Sequence, residues 1–246
     1  MPAIKTALLL CGGNGSRLRP ALAKSINKHL TTVSDKPMVH YPLSTLAQMG
    51  IEKVFVFLNG NLNDPLLVEI ESGEKWNIRT CFLYSQHPPS KGPAVSVSVA
   101  EKWINEPFVL MLGDSIYLQT PPIPDSVDPN LAYCWVMPFC SDWDDISKYA
   151  QIGFDEKTGK VNFLRRTDKI LSEQPFIQTG AWIFPPSIFA LIKKLLEQKE
   201  GELRISDLTS ELVKKGRLVA LPIPSKSFID AGTWPAIRKV EEVLKS

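Results

Sequence analysis

The chain has 246 residues, enough to bury a full hydrophobic core, and its 28 lysines and arginines exceed its 26 aspartates and glutamates by only two. So even a balance, with no block of like charge, excludes the broad electrostatic footprint of a nucleic-acid-binding protein and leaves positive charge to act locally. The first residues lack the long apolar region and cleavage motif of a secreted precursor, and no apolar run reaches the length of a membrane span, so a cytoplasmic protein without membrane contact is expected.

Leu8-Leu9-Leu10-Cys11 reads as a buried strand that breaks into Gly12-Gly13-Asn14-Gly15-Ser16-Arg17. Bare backbone in such a loop approaches a ligand closely, with N–H groups free to face phosphate oxygens, and Arg17 adds a fixed positive charge. Taken alone the loop is equally a turn between strand and helix. A dinucleotide fingerprint fails because Leu18 stands where its third glycine belongs, and the P-loop pattern is absent. Met38 to Met49 then carries apolar residues at helical spacing up to Gly50, and Ile51 to Leu58 is a second buried strand. It ends at Leu58-Asn59-Gly60 without the acid that a nicotinamide-dependent oxidoreductase needs at that tip.

Asp64 caps a helix predicted through about Trp76, Arg79 to Tyr84 is a third strand, and Pro93 to Ile104 a further amphipathic helix. Phe108 to Leu112 is a strand with Asp114 at its end. This alternation predicts an α/β, doubly wound, mostly parallel sheet with helices on both faces, in which ligands bind beyond the carboxyl ends of the strands. The Gly12–Arg17 loop and Asp114 both fall at such ends and should meet in one crevice.

After a proline-rich connection over 121–129 comes a strand from Leu131 to Met137, and then the pattern changes. Ile152-Gly153-Phe154, the turn-like Glu156-Lys157-Thr158-Gly159 and Val161 to Leu164 predict a hairpin, and Phe176 to Phe184 a strand leading to a helix at about Pro186 to Gln198. Ser206 or Asp207 caps a helix to about Lys215, Arg217 to Pro222 is a strand, and Phe228 to Thr233 leads into a final helix from Trp234. Cys11, Cys81, Cys134 and Cys140 stand in or beside these apolar segments without metal-ligand spacing and read as reduced core thiols.

The compound pattern Gly12-Gly13-x-Gly15-x-Arg17-Leu18-x-Pro20, then Lys28, then Asp35-Lys36-Pro37-Met38-Val39-His40-Tyr41-Pro42-Leu43 resembles the signature of the sugar-1-phosphate nucleotidyltransferases. Within them it is most similar to the glucose-1-phosphate thymidylyltransferases, over nearly the whole chain. The resemblance implies the Rossmann-like nucleotide-diphospho-sugar transferase fold as a single domain over 1–246, with a nucleotide-binding half over 1–120 and a sugar-phosphate-binding half, carrying a small β lobe, over 121–246. It implies transfer of a nucleoside monophosphate from dTTP or UTP to a hexose-1-phosphate such as glucose-1-phosphate, giving an NDP-sugar and pyrophosphate, with Mg²⁺ as cofactor. A homodimer is the assembly it implies. The longer helical extension of related thymidylyltransferases has no counterpart after Trp234 to Ser246, so no separate effector site is expected.

Both substrates of such a reaction are anions, so the protein must hold them together and neutralise charge developing on the phosphoryl oxygens, without a covalent nucleophile or general base. Arg17 suits the clamp on the departing phosphates, because a guanidinium contacts two oxygens and keeps its charge. Lys28 resembles the family lysine that shares this task, with Lys24 a nearby competitor. Asp114 and Asp230 resemble the carboxylate pair that holds magnesium, a hard cation suited to few oxygen ligands completed by phosphate and water; both are expected at the ends of neighbouring sheet strands. For the nucleotide, Gly12, Gly13, Gly15 and Ser16 offer backbone, Leu10 or Leu9 packs on the base, Gln86 resembles the glutamine that pairs with a uracil or thymine edge, and Gly92 the glycine that lets backbone reach it.

For the sugar, Thr179-Gly180 resembles a matching dipeptide, whereas Gly201-Glu202-Leu203 resembles a segment that is usually structural. One departure stands between them. Where the family carries glutamate-lysine-proline after the hairpin, this chain reads Arg165-Arg166-Thr167-Asp168-Lys169-Ile170. Asp168-Lys169 in that place keeps the charge pattern, with an acid for hydroxyls and a base for the sugar phosphate, and is the register preferred here; Arg166-Thr167 in that place abolishes it. The altered segment also keeps open a second reading, a nucleotide-sugar-binding or regulatory protein that retained the fold and lost turnover.

Overall fold

The computed structural model describes residues 4–13, 15, 17–18, 27–59, 64–85 and 91–245. In chain order the strands are β1 (Thr6–Leu10), β2 (Thr32–Val33), β3 (Lys36–Pro37), β4 (Lys53–Leu58), β5 (Arg79–Tyr84), β6 (Phe108–Leu112), β7 (Ser115–Tyr117), β8 (Ala132–Pro138), β9 (Ala150–Phe154), β10 (Val161–Arg166), β11 (Phe176–Phe184), β12 (Leu218–Pro222) and β13 (Phe228–Asp230). The helices are α1 (His40–Gln48), α2 (Leu66–Ile70), α3 (Pro93–Ser98), α4 (Ile188–Gln198), α5 (Ile205–Lys214) and α6 (Trp234–Lys245).

The main sheet runs β10-β9-β11-β6-β1-β4-β5, with β8 on the other flank of β11 and β12 beyond it. β6, β1, β4 and β5 are mutually parallel, as are β8 and β12, and the antiparallel β11 joins the two sets. Side chains alternate between two cores: Ala7, Leu9, Val54, Val56 and Met111 enter one, and Leu8, Leu10, Phe55, Phe57 and Leu110 the other. Burial of both faces is why these strands read as unbroken apolar runs. Leu43 and Leu46 of α1 and Leu66 and Ile70 of α2 cover the first face, while α3, α4 and α5 cover the second through Val97, Ile192, Leu208 and Leu212. This is the expected doubly wound architecture. No helix among the described residues is long and apolar enough to cross a membrane.

Two predicted helices are shorter than their spacing suggests. The one opening at Asp64 does have that residue as a cap, its Oδ1 accepting the Leu66 N–H at 3.0 Å. It ends at Glu71, and Gly73 follows with φ 87°, in a turn where a Cβ would stand 2.6 Å from the Ile78 carbonyl oxygen. A separate turn of 3₁₀ helix then covers Glu74–Trp76. α3 stops at Ser98, whose hydroxyl donates back to the Val95 carbonyl at 2.7 Å and competes with helix continuation. All four cysteines are free, but only Cys11 and Cys134 lie in the core; Cys81, on the edge strand β5, is exposed.

β11 creates the opening that the site needs. Its residues Ala181–Phe184 pair with β6, whereas Phe176 and Ile177 pair with β9 on the same flank. Between them, at 178–180, those neighbours part, and the pairing with β8 slips on the opposite flank. The carboxyl end of β6 therefore faces the amino end of β9 across a gap, and Arg166, the last residue of β10, pairs with Ala150 at that same end. Gly180 lies where a Cβ would overlap the Ser115 hydroxyl, which instead donates to the Gly180 carbonyl at 3.2 Å.

Past β6 the chain turns through Gly113 and Asp114 into β7, which pairs antiparallel with β13 in a two-stranded ribbon. Ile116, Ile229, Ala236, Ile237 and Val240 bury this ribbon against α6. Asp230 thus arrives on the ribbon, opposite Ser115, and not on a neighbouring strand of the main sheet. The partner it needs lies in the turn before β7, and the sheet itself has no vacant flank beside β6 to hold it, because β1 and β11 occupy both.

Replacing Gly180 by alanine should lower stability by about 1–3 kcal/mol through overpacking. The double variant Gly180→Ala/Ser115→Ala should recover most of that loss, since the hydroxyl is the atom met first; urea midpoints of the three variants against the parent check both statements.

Candidate active site

The glycine loop leaves β1 between β4 and β6. The Cys11 N–H donates to the Phe57 carbonyl and the Gly113 N–H to the Leu10 carbonyl, both at 2.9 Å. Leu10 itself is buried in the second core. A Cβ on Gly12 would stand 2.6 Å from the Phe57 ring, and on Gly13 or Gly15 it would stand 3.1 or 3.0 Å from the Lys28 side chain. Gly15 also has φ 63°, in the left-handed region. The bareness of the loop is thus used in part to seat Lys28. Ser16 and the competing Lys24 lie outside the described residues.

Lys28 is 12% exposed, and its Nζ donates to Asp114 Oδ2 at 2.5 Å. The peptides around it are held by a polar network. Asn27 Nδ2 donates to the Cys11 carbonyl at 3.1 Å and to Asp64 Oδ2 at 2.8 Å, while Asn27 Oδ1 accepts from the His29 N–H at 3.1 Å. Because that oxygen is an acceptor, His29 Nδ1, 2.8 Å away, carries the proton. Burial, then the Lys28 charge, push the His29 pKa down to about 3, so the ring is neutral.

Arg17 stands between two acids, its guanidinium 3.9 Å from Asp114 Oδ2 and 3.6 Å from Asp230 Oδ2. Gly232 makes room for it, since a Cβ there would come 2.5 Å from Nη2, and the Gly232 N–H donates to Asp230 Oδ1 at 2.9 Å. The Ala231 N–H donates to the Asp114 carbonyl, which locks the two acidic turns together. The acids differ in character. Burial opposes ionisation of Asp114, but the Lys28 charge and hydrogen bond overcome it and hold its pKa at about 2. Burial, then the neighbouring Asp114 charge, push Asp230 upward.

Among the described residues, those expected on the sugar side form no ion pair with these charged side chains, although Gly180 packs on Ser115, the neighbour of Asp114. Thr179 is buried, its hydroxyl accepting from Tyr117 Oη at 2.8 Å and donating to the Trp135 carbonyl at 2.9 Å. That side chain is committed to the sheet, as Gly180 is to Ser115. Asp168 and Lys169 are exposed after β10, and neither forms an ion pair among the described residues. Gly92, with φ 92°, packs on 202–203, where a Cβ would stand 2.5 Å from the Leu203 carbonyl oxygen. Gln86 lies outside the described residues.

Asn27, His29, Tyr149 and Gln151 escaped the sequence reading, and Asp64 entered it only as a helix cap. Tyr149 donates to Asp144 at 2.7 Å and its ring lies 6.4 Å from that of Phe228, on the strand that carries Asp230. Gln151 is 1% exposed, and among the described residues its side chain bonds to the loop after β10. Its signal was available: a polar residue at an inward position of an apolar strand demands a partner.

With this geometry in view, the comparisons with known proteins are direct. A family model described as nucleotidyl transferase matches residues 6–246, and the chain belongs to that family. A glucose-1-phosphate thymidylyltransferase of an Actinoplanes species is 28% identical over 228 residues, covering 92% of this chain and 73% of the relative. Among solved structures, the inositol-1-phosphate CTP transferase of T. maritima superposes with a TM-score of 0.81 at 17% identity, covering 99% of this chain and 96% of that one. A UDP-glucose pyrophosphorylase complexed with UDP-glucose gives 0.77 at 18%, covering 98% of each. The expected family and the enzyme class, a sugar-1-phosphate nucleotidyltransferase, are borne out.

His29 makes a pH dependence testable. Its folded pKa is below the unfolded value near 6.5, so between pH 6.5 and 3 the unfolded chain binds a proton that the folded one does not, and stability falls as pH falls. The difference in urea-unfolding free energy between the parent and His29→Gln should change by up to about 1.4 kcal/mol per pH unit as pH falls from 6.5 to 4, the parent losing the more.

Proposed function

We propose that this protein transfers a nucleoside monophosphate from dTTP or UTP to a hexose-1-phosphate such as glucose-1-phosphate, releasing pyrophosphate. The observation that carries this reading is the convergence of Arg17 and Lys28 on Asp114 and Asp230 at the glycine loop. A phosphate oxygen of the acceptor attacks the α-phosphorus, and the bond to the β-phosphate oxygen breaks. Arg17, half exposed beside the loop, takes the oxygens of the leaving pyrophosphate. Lys28, held by its peptide network and by Asp114, supplies a fixed charge to the phosphoryl group in flight.

Gly12, Gly13, Gly15 and Ser16 receive the triphosphate along their backbone, with Leu10, Gln86 and Gly92 on the base. Asp168 and Lys169 serve the sugar phosphate, while Thr179 and Gly180 shape the floor of the gap in β11. Asp114 and Asp230 fit a divalent cation. They are two hard carboxylates brought together by backbone pairing, of the kind that hold an ion completed by phosphate and water. Mg²⁺ bound there supplies neutralisation of the phosphate charge. The thymidylyltransferase and UDP-glucose relatives support a pyrimidine nucleotide.

Pyrophosphate release with a panel of nucleotides and sugar phosphates tests the reading; binding without release across the panel would instead support a protein that has lost turnover. Arg17→Ala should keep the fold and lower turnover by about a hundredfold or more. The two aspartates should not behave alike. Asp230→Asn should raise the magnesium needed for half-maximal rate with little loss of stability. Asp114→Asn should also destabilise the fold by about 3–5 kcal/mol, because Lys28 is then buried without its partner. Metal titrations and denaturant melts of the two variants separate these effects.

A further inference from the structure

Arg166 ends β10 opposite Ala150, at the end of β9 that faces the carboxyl end of β6 across the gap in β11. Its Nε donates to the Ser147 carbonyl at 3.1 Å, which aims the guanidinium and leaves its terminal N–H groups to other acceptors. Ser147 lies two residues before Tyr149, the residue that packs on Phe228 in the strand carrying Asp230. Arg166 is therefore tied to the same short segment that touches the acidic ribbon. Arg165, Arg166 and Lys169 are exposed, and none forms an ion pair among the described residues. The one acid beside them, Asp168, faces Thr167 Oγ1 at 3.3 Å.

Charges on an edge strand ordinarily serve as a solvated guard against pairing with another sheet. A guard does not need to be held in one shape, and this segment is. Gln151 Nε2 donates to the Lys169 carbonyl at 2.7 Å and to the Thr167 carbonyl at 3.3 Å, and its Oε1 accepts from the Leu171 N–H at 3.0 Å. Burying an amide costs desolvation, and here three bonds from that amide fix the backbone of an exposed basic loop.

The cations near the glycine loop are already engaged. Lys28 holds Asp114, and Arg17 lies between both acids. A single cation of the loop after β10, Lys169, suffices for the 1-phosphate of an acceptor, so Arg166 is surplus to a neutral sugar. Its planar fork matches a carboxylate or a phosphate. We propose that the acceptor carries a second anionic group on the sugar, recognised by Arg166. The inference rests on the transfer reading above and narrows its acceptor.

The test is pyrophosphate release by the full chain with dTTP or UTP and glucose-1-phosphate, glucuronic acid 1-phosphate or glucose 1,6-bisphosphate. At least one of the two anionic acceptors should exceed glucose-1-phosphate by about tenfold or more in kcat/KM, the value of one charge-assisted contact; which one does so distinguishes carboxylate from phosphate. Arg166→Gln should abolish that advantage through the acceptor KM, while its values for glucose-1-phosphate and for the nucleotide stay within about twofold. Arg166→Lys, which keeps charge and loses the fork, should restore only part of it. A parent protein that prefers glucose-1-phosphate to both, or an anionic advantage that survives Arg166→Gln, overturns the inference and leaves the transfer reading intact. Release with none of the three, nor with any other member of the nucleotide and sugar-phosphate panel, overturns both.

Discussion

The buried ion pair of Lys28 with Asp114 joins positions 86 residues apart and organises the mouth of the sheet. The glycines of the loop are bare where they meet the Lys28 stem, His29 is neutral partly because of its charge, and Asp114 stays ionised against its burial for the same reason. Such a pair is weak evidence for stability, because two charges leave water to form it. What it secures is geometry: a lysine nitrogen and a carboxylate in fixed places, with Arg17 and Asp230 arranged around them.

Much of the parallel half was legible before the structure, since strands buried on both faces announce themselves as apolar runs and their ends as glycine or acid. Arg17, Asp114 and Asp230 each stand just past an apolar run and drew attention there, whereas Lys28 was singled out by resemblance to the family signature alone. The rest depended on contacts distant in sequence. The role of Asn27 is set by Cys11 and Asp64, and nothing near Asn27 names either partner. Thr179 and Gly180 were singled out by resemblance to a family dipeptide, and their bonds to Tyr117, Trp135 and Ser115 depend on strands that nothing near them in the sequence names. The break after α2 comes at two positive-φ positions, Glu71 at 50° and Gly73 at 87°, which helical periodicity does not register.

The two flanks of β11 differ in how tightly the fold constrains the side chains beside them. Residues of β6 and β1 are enclosed by cores on both faces, so a change there is felt by the whole sheet. β10 is an outer strand, paired only with β9 in the main sheet, and its last residues and the loop beyond are constrained chiefly by Gln151. Side chains there change without disturbing the fold. The preferred alignment of Asp168-Lys169 and its rival at Arg166-Thr167 differ by two residues, and it is the rival pair that stands where β10 ends beside Ala150.

The ribbon of β7 and β13 has a consequence for the order in which the protein acquires its chemistry. β1, β4, β5 and β6 are complete within the first 112 residues, but Asp230 reaches Asp114 only through pairing with a strand more than a hundred residues later, and Trp234 Nε1 then donates to the Leu18 carbonyl across 216 positions. Contacts of such long sequence separation close late, because loop entropy opposes them until the intervening chain is packed. During synthesis, the half with the glycine loop can be shaped while the acidic site is still missing its second member. The emerging chain therefore carries Arg17, Lys28 and Asp114 without their fourth member until residue 230 has been made, and β13 is the strand that brings it.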